Sequence, residues 1–392
     1  MYIITNGHIV TEDSIITGYD LVIENDNIKQ IIKRNEMDAY KDYEMVDANG
    51  GYITPGFIDI HADYIEHMAA PRPTSLMDFD LSIRECEKQL IAHGITTMFH
   101  SLSLYKSSEF GNNPVRTPEN VCKFMDLIDK THTSKHLIRH RFHVRFEIDN
   151  LEQIDNLKHY INADKVHLVS LMDHTPGQGQ YRNLEIYRET LKGYSDLSDT
   201  QIDEIIENSQ NKEKMTIEMI KEIADLVKEK NIAFASHDDD SIEKLDLVKS
   251  LGATISEFPI TLEVAKEAKK RGMYALAGAP NVLMGGSHSG NLSAAVAVEH
   301  DSVDILCSDY YPAALLHAIF KLHEDYGHDL SDMFKLVTLN PAKAVKMDDS
   351  IGSIKENKKA DILIIEKIDD SYPVITSVFV DGILISKTNY RM

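Results

Sequence analysis

The sequence predicts an α/β protein in which a (β/α)8 TIM-like barrel carries a small β-sandwich formed by the N- and C-terminal segments. The first observation behind this prediction is an alternation of short apolar runs with segments of helical spacing between residues 57 and 325. The second is a set of strand-like runs at both ends of the chain. The third is that side chains able to bind a metal ion follow five of the apolar runs.

The composition is that of a globular protein, with 43% hydrophobic and 27% charged residues among 392. A net charge of −22 argues against a nucleic-acid partner, because phosphate backbones attract basic surfaces. No apolar run approaches the roughly 18 residues that span a bilayer, and the N-terminus lacks the basic start of a signal peptide. We therefore expect a cytoplasmic protein without a membrane partner. The sequence leaves the oligomeric state open, with a homodimer as one option.

Three cysteines, Cys86, Cys122 and Cys307, show no metal-binding or disulfide spacing. We expect free thiols in a reducing compartment.

Both ends of the chain consist of short strands separated by turns such as Asn6-Gly7 and Asp381-Gly382. Neither set has enough strands to be stable alone, so we expect the two to pair. The predicted domains are therefore a β-sandwich of residues 1–54 and 346–392 and a barrel of residues 55–345.

The barrel strands are predicted from eight apolar runs, at residues 57–60, 96–99, 142–148, 166–171, 232–236, 254–255, 273–276 and 303–306. Helical spacing lies between them, at 82–93, 117–130, 199–230, 240–250, 261–271 and 312–325. Eight such strands favour a closed barrel with its chemistry at the carboxyl ends of the strands. The acidic and polar segment 195–215 is interpreted as a surface insertion.

The segment 51–63 contains the first predicted barrel strand and the first two candidate metal ligands. Thr54-Pro55-Gly56 marks a turn, residues 57–60 form a buried strand, and His61 and Asp63 leave its end on the same side. An imidazole and a carboxylate placed in this way can bind one metal ion, although a histidine and an aspartate in a surface loop would look the same.

Similar side chains end four further strands, so that six potential ligands meet at one end of the barrel: His61, Asp63, Glu147, His174, His237 and Asp309. Three imidazoles and three carboxylates suit Zn²⁺, with Mn²⁺ or Fe²⁺ as alternatives. Either two ions bridged by Glu147 or a single ion would fit. Asp309 is predicted to be catalytic, as a ligand that also takes the proton of the attacking water.

The chain resembles the amidohydrolase superfamily over essentially its whole length. The resemblance rests on Pro55-Gly56-Phe57-Ile58-Asp59-Ile60-His61, Asp309, Asn340-Pro341-Ala342-Lys343-Ala344 and Ala360-Asp361-Ile362. It implies a metal-dependent barrel with a β-sandwich built from both termini. Most members carry His-x-His at the first strand, whereas this chain has Asp63 in the second place, which puts a simple amidase or deaminase activity in doubt.

Further stretches, including 172–180, 236–239, 278–291 and 308–310, are similar to superfamily members that act in phosphonate metabolism. This resemblance implies hydrolysis of α-D-ribose 1-methylphosphonate 5-triphosphate to the 5-phosphate and pyrophosphate, in the carbon–phosphorus lyase route. The expected partner is thus a small anionic phosphorylated sugar.

A glycine-rich loop between the last two strands is predicted to bind phosphate through Gly286, Ser287, His288, Ser289 and Asn291, although a lid without a ligand is also possible. Arg72 and Arg182 are candidate phosphate contacts, or ordinary surface arginines. Glu66 and Asp238 are candidates to orient ligands or sugar hydroxyls, or solvated carboxylates.

The other histidines are interpreted as structural, among them His100, His132, His136, His140, His143, His159 and His167. Two rival functions remain open. One is hydrolysis of a cyclic amide or an N-acyl amino acid, and the other is a metal-free scaffold.

Overall fold

The computed structural model of the chain describes residues 1–104, 113–194, 197–286, 291–369 and 371–391. The N-terminal segment forms seven strands: β1 (Tyr2–Thr5), β2 (His8–Val10), β3 (Ile15–Thr17), β4 (Tyr19–Glu24), β5 (Asn27–Lys33), β6 (Glu44–Asp47) and β7 (Tyr52–Pro55).

Eight parallel strands follow and form one sheet in chain order: β8 (Phe57–Ala62), β9 (Ile95–Leu104), β10 (Arg139–Glu147), β11 (Leu168–Met172), β12 (Ala233–His237), β13 (Ile255–Glu257), β14 (Tyr274–Gly278) and β15 (Ile305–Cys307). Each contains or overlaps one of the eight predicted runs. Backbone hydrogen bonds between residues 61–63 and Asp309 connect the last strand to the first. The (β/α)8 barrel is therefore confirmed.

Helices surround the barrel: α1 (Ile65–Ala69), α2 (Phe79–Ala92), α3 (Pro118–Thr131), α4 (Ile154–Asn162), α5 (Leu184–Tyr194), α6 (Asp199–Gln210), α7 (Ile217–Glu229), α8 (Ile242–Ser250), α9 (Leu262–Lys270), α10 (Ala279–Met284), α11 (Ala294–Glu299), α12 (Ala314–Tyr326), α13 (Leu330–Lys335) and α14 (Leu339–Ala344). Among the described residues, no helix has the length and apolar character that a membrane crossing requires. The three cysteines are free thiols, as predicted.

Three C-terminal strands complete the fold: β16 (Ile362–Ile368), β17 (Tyr372–Val380) and β18 (Ile383–Lys387). They join β7, β2 and β3 in a six-stranded sheet, while β5, β4, β1 and β6 form a four-stranded sheet. Ile4 and Ile23 from the smaller sheet share one buried core with Ile53 and Phe379 from the larger sheet. The predicted pairing of the two chain ends into a sandwich is thus confirmed, whereas the domain boundaries at 54/55 and 345/346 stay predictions.

The six-stranded sheet is apolar on both faces, because it packs between two cores. Ile362 and Ile364 of β16 face the sandwich core, whereas Leu363 and Ile365 face the core that the barrel helices share. Such double burial explains why this strand is a continuous apolar run without alternation.

Two contacts tie the sandwich to the barrel. Gly56 alone separates β7 from β8, and a Cβ on this residue would lie 2.2 Å from the Thr96 hydroxyl, so that only glycine fits. In addition, the Arg139 guanidinium at the start of β10 binds the carboxylates of Asp361 and Asp381.

The segment 195–215 is more than the predicted surface insertion. Its described part contains α6, which packs on α5 through a small core of Tyr187, Leu191, Ile202 and Ile206. Ser209 and Lys212 of this segment line the main cavity of the protein. Apolar spacing at Ile202 and Ile206 explains the helix, because both side chains fall on one face.

Candidate metal centre

A cavity of about 780 Å³ opens at the carboxyl ends of the barrel strands. All six predicted metal ligands line it: His61, Asp63, Glu147, His174, His237 and Asp309. The parallel sheet explains this convergence, because every strand delivers its carboxyl end to the same rim.

One group of candidate ligand atoms joins the lining residues His61 and His237 to Glu257, which is buried and does not itself line the cavity. His61 lies near the carboxyl end of β8, and Glu257 is the last residue of β13. The His61 Nδ1 atom lies 2.9 Å from Glu257 Oε1. Together with His237, these residues place three ligand atoms within 4.8 Å of one another. Burial lowers the pKa of His61 well below its ordinary value, so its imidazole is neutral and has a lone pair for a metal ion.

A second group shares His237 and adds His174 and Asp238, again within 4.8 Å. His174 Nε2 lies 3.6 Å from Asp238 Oδ2, and its Nδ1 is hydrogen-bonded to Glu147. Burial by itself raises the pKa of Glu147, but the neighbouring His174 and Arg145 outweigh it and hold the pKa below its ordinary value. Glu147 is therefore an ionised ligand or ligand partner at neutral pH.

The donor set fits a divalent cation. Among the described residues, the buried Glu257 Oε2 atom makes no hydrogen bond, and the buried His237 Nδ1 and Asp238 Oδ2 atoms lie 3.0 Å apart as an ion pair without hydrogen-bond geometry. A buried polar atom without a hydrogen bond costs about 1–3 kcal/mol, and a metal ion would satisfy all three atoms. Imidazole nitrogens and carboxylate oxygens are the ligands that Zn²⁺ prefers outside thiolate sites.

Asp309 follows β15 and is partly buried beside the first strand. Burial, and then the charge of Asp63, raise the pKa of Asp309 to about 7 in the metal-free chain. A carboxyl with this pKa exchanges protons close to neutrality, which suits a general base.

Asp63 is paired with a residue that the sequence analysis did not select. Arg116 Nη2 lies 3.2 Å from Asp63 Oδ2, while its Nε donates to both oxygens of Glu66, at 2.7 and 2.9 Å. Asn113 donates a further hydrogen bond of 2.6 Å to Glu66. Glu66 therefore fixes the orientation of Arg116, which in turn lies against a predicted metal ligand.

Arg145 is a second cation that sequence reasoning missed. It lies two residues before Glu147 on β10, on the same side of the strand, and its Nη2 is 3.4 Å from His237 Nε2. Its spacing to Glu147 was a usable signal, because residues two apart on a strand share a face.

The cavity has an excess of negative charge. Three cationic side chains line its described part: Arg116, Arg145 and Lys212. Seven carboxylates line it: Asp63, Glu66, Glu147, Asp149, Asp173, Asp238 and Asp309. If all are ionised, seven against three leaves four negative charges in excess. An anionic substrate would be repelled from such a cavity unless cations are bound there.

Three residues at the rim have positive φ angles. Asp238 and Phe258 directly follow β12 and β13 with φ angles of 53° and 54°, and Asp309 lies two residues after β15 with a φ angle of 58°. Phe258 is the unusual member, since bulky residues avoid this region at a cost of about 1–3 kcal/mol. Its ring packs edge-on against the His61 imidazole, with centroids 4.9 Å apart, and contacts the His237 ring. Phe258 thus helps to orient two of the imidazoles.

The predicted substrate contacts are only partly brought together. Glu66, Asp238 and Asn291 line the cavity. The Gly286 N–H donates to the Asn281 carbonyl, 3.1 Å away, and Gly286 lies outside the lining. Ser287, His288 and Ser289 lie outside the described residues.

The two predicted arginines are exposed and do not line the cavity, so the structure does not bring Arg72 or Arg182 to the other candidates. Their assignment stays a prediction. Glu257, by contrast, was overlooked as a ligand, although it ends an apolar run just as His237 does.

Comparison with known proteins gives a family and a full-length relative. Residues 151–385 match the family described as the amidohydrolase family. An Escherichia coli (strain K12) protein, alpha-D-ribose 1-methylphosphonate 5-triphosphate diphosphatase, is 34% identical over 372 residues, which cover 94% of this chain and 96% of the relative.

Solved structures share the architecture at low sequence identity. An amidohydrolase matches with a TM-score of 0.66 and 13% identity, covering 99% of both chains. The beta-aspartyl dipeptidase from Fervidobacterium islandicum matches with a TM-score of 0.65 and 18% identity, covering 100% of this chain and 99% of its own.

Proposed function

Because the chain belongs to the amidohydrolase family, we propose that it hydrolyses α-D-ribose 1-methylphosphonate 5-triphosphate to the 5-phosphate and pyrophosphate with the help of divalent metal ions. The observation that carries the proposal is the 34% identity to a diphosphatase of that substrate, which covers 96% of the relative. The likeness is not confined to the fold, and it supports a hydrolase of phosphonate metabolism.

We propose His61, Asp63, Glu147, His174, His237 and Asp309 as the metal ligands, with Glu257 and Asp238 as additional donors. Zn²⁺ fits this set, and Mn²⁺ or Fe²⁺ are alternatives. When bound, divalent ions supply a water of lowered pKa and withdraw charge from phosphoryl oxygens. Seven carboxylates against three cationic side chains in the described lining support this requirement, since divalent cations would offset the excess of negative charge.

Asp309 is the proposed general base. Its carboxylate accepts a proton from the attacking water, whose oxygen joins a phosphorus of the linkage between the α- and β-phosphates. The bridging P–O bond breaks, and pyrophosphate leaves with the bridging oxygen or without it, depending on the phosphorus attacked. Its place in the cavity at the carboxyl ends of the barrel strands, among the other proposed ligands, supports this role.

Arg116, Arg145 and Lys212 are the proposed phosphate contacts within the cavity. Arginine binds phosphate oxygens through its guanidinium N–H groups, and Glu66 and Asp63 fix the position of the Arg116 guanidinium in the cavity. Asn291 and the loop 286–289 are proposed to contact the substrate as well. Arg72 and Arg182 remain proposed contacts of lower rank because of their distance from the cavity lining. A cytoplasmic location and a homodimer also remain predictions.

The decisive assay measures pyrophosphate release from the ribose triphosphate, with plain nucleoside triphosphates as comparison substrates. The proposal predicts release from the ribose compound at a much higher kcat/KM than from nucleoside triphosphates. N-acyl amino acids and cyclic amides are assayed in parallel. Turnover of an amide without pyrophosphate release would refute the proposal, and an inert protein would favour a scaffold.

A further inference from the structure

A second cluster of metal-competent side chains lies away from the cavity, where α2 meets β10. It consists of Glu87 on α2, His136 just before β10 and His140 on β10, with one ligand atom of each within 4.8 Å of the other two. The side chains are almost fully buried, with exposed fractions of 5%, 6% and 0%. None of the three lines the cavity.

The cluster has too many donors for a network of hydrogen bonds alone. Glu87 Oε2 lies 3.1 Å from His136 Nδ1, 3.1 Å from His140 Nε2 and 2.8 Å from the Leu137 backbone nitrogen. Three nitrogens thus approach one carboxylate oxygen, which offers about two lone-pair directions. A single cation would remove this crowding of three nitrogens around one oxygen. It would occupy one lone-pair direction of Glu87 Oε2 and leave the other to the Leu137 N–H.

Two of the three separations in the cluster are compatible with a tetrahedral ion. Bonds of about 2.0–2.1 Å to nitrogen and oxygen place neighbouring ligands of a tetrahedral zinc ion about 3.3–3.4 Å apart. The two separations of 3.1 Å from Glu87 Oε2 are close to this value, and the rings of His136 and His140 are nearly perpendicular, at 85°, with centroids 5.3 Å apart.

His140 also has the partner that a metal-bound imidazole needs on its other nitrogen. His140 Nδ1 lies 2.8 Å from His100 Nε2 on β9, and both rings are completely buried. A ligating histidine usually donates its second N–H to such an acceptor, which fixes its tautomer. His100 Nε2 would then be the acceptor that leaves His140 Nε2 to the ion, with the His100 proton on Nδ1, a buried atom that makes no hydrogen bond among the described residues.

We propose that Glu87, His136 and His140 hold a structural zinc ion. The carboxylate and two neutral imidazoles match the ligand chemistry of Zn²⁺, and a water would complete four-coordination. The ion would join α2 to the third barrel strand, so its effect is on the stability of the fold. It is distinct from the ions proposed in the cavity and does not depend on the proposed reaction.

The test compares zinc content in purified wild-type protein, His136→Ala and the control His159→Ala, whose histidine is exposed on α4. We expect His136→Ala to lose one zinc equivalent, to unfold at a lower temperature and to keep the wild-type kcat at saturating metal. His159→Ala should keep the full zinc content. Equal zinc content in the two variants would overturn the proposal and leave a hydrogen-bonded cluster.

A second measurement needs no variant and so does not depend on the folding of His136→Ala. Anomalous diffraction at the zinc edge from wild-type crystals grown with zinc should give a peak between Glu87 and His140. A map without a peak at this position would also refute the site, whatever is found in the cavity.

Discussion

The backbone N–H of Asp63 donates to the carbonyl oxygen of Asp309 across the seam of the barrel, at 3.0 Å. The Asp309 N–H donates in turn to the His61 carbonyl oxygen, at 3.1 Å. The contact that closes the barrel is therefore made by the backbone of three proposed metal ligands. The same backbone hydrogen bonds that close the sheet therefore also bring these three proposed ligands next to one another.

Asp309→Asn should reduce pyrophosphate release roughly 10²- to 10⁴-fold, because the amide cannot accept the proton of the attacking water and is a poorer metal ligand. The measurement is kcat/KM on the ribose triphosphate. Asp301→Asn is a matched control, since Asp301 also has a positive φ, 49°, but is an exposed residue paired with Lys269. Wild-type turnover in the Asp309 variant would refute its assignment.

Asp309→Asn should also change the pH dependence of stability in metal-free protein. The folded-state pKa of about 7 lies above the ordinary 3.8, so the stability that this group contributes is complete below about pH 4 and is lost as the pH rises towards 7. The neutral asparagine avoids this loss. We expect the variant to exceed wild type by up to about 4 kcal/mol above pH 7, and to match it near pH 4.

Chemical unfolding of both metal-free proteins at the two pH values measures this difference. An identical pH dependence of stability in the two proteins would show that the pKa of Asp309 is not raised in the folded state.

Removal of metal should abolish activity while the barrel remains folded. We expect chelation followed by gel filtration to give inactive protein, and added Zn²⁺ or Mn²⁺ to restore pyrophosphate release, because the described cavity lining has seven carboxylates against three cationic side chains and needs cations to accept an anionic substrate. Circular dichroism checks the fold, and elemental analysis checks that the metal is gone. Full activity in protein shown to be metal-free would contradict the proposed mechanism.

Lys212→Met should raise KM for the triphosphate about tenfold, or about 1.4 kcal/mol, with a smaller change in kcat. Lys212 lines the cavity 3.3 Å from Asp149 and is a proposed phosphate contact. Lys192→Met is the control, because the exposed Lys192 on α5 is likewise paired with an aspartate, Asp199 on α6. Steady-state kinetics on the ribose triphosphate measure KM and kcat of both variants. Equal KM values in the two variants would exclude Lys212 from phosphate binding.

Arg139→Met should destabilise the protein by about 3 kcal/mol, because it leaves the Asp361 carboxylate, 4% exposed, without its cationic partner. Arg84→Met removes an exposed pair with Asp80 and should cost less than about 1 kcal/mol. Denaturant unfolding monitored by circular dichroism measures both. Equal losses would mean that the link between barrel and sandwich contributes little.

Strand positions, and the convergence of the proposed ligands at one rim, were predictable because both depend on local pattern. His237 and Asp309 follow short apolar runs, and parallel strands bring such positions to one rim. The pairing of the chain ends was predictable for a related reason, since neither strand set can bury its apolar face alone.

Contacts that depend on the path of a loop were not predictable. Arg116 lies well beyond the end of β9, and only the fold brings it to Asp63. The positive φ of Phe258 has no signal in a single sequence, because a phenylalanine is otherwise expected to avoid it. The helical spacing of α6 was visible in the sequence, but its role in the cavity wall was missed because an acidic, polar composition is typical of a surface insertion.

The single-residue junction at Gly56 has a consequence for synthesis on the ribosome. β7 and β8 leave the exit tunnel early, but their partners β16 and β15 are made only after residue 300. Both early strands therefore keep an unpaired edge for most of translation. Nascent chains with open edges are prone to aggregate, so we expect this protein to rely on chaperones until its final segment emerges.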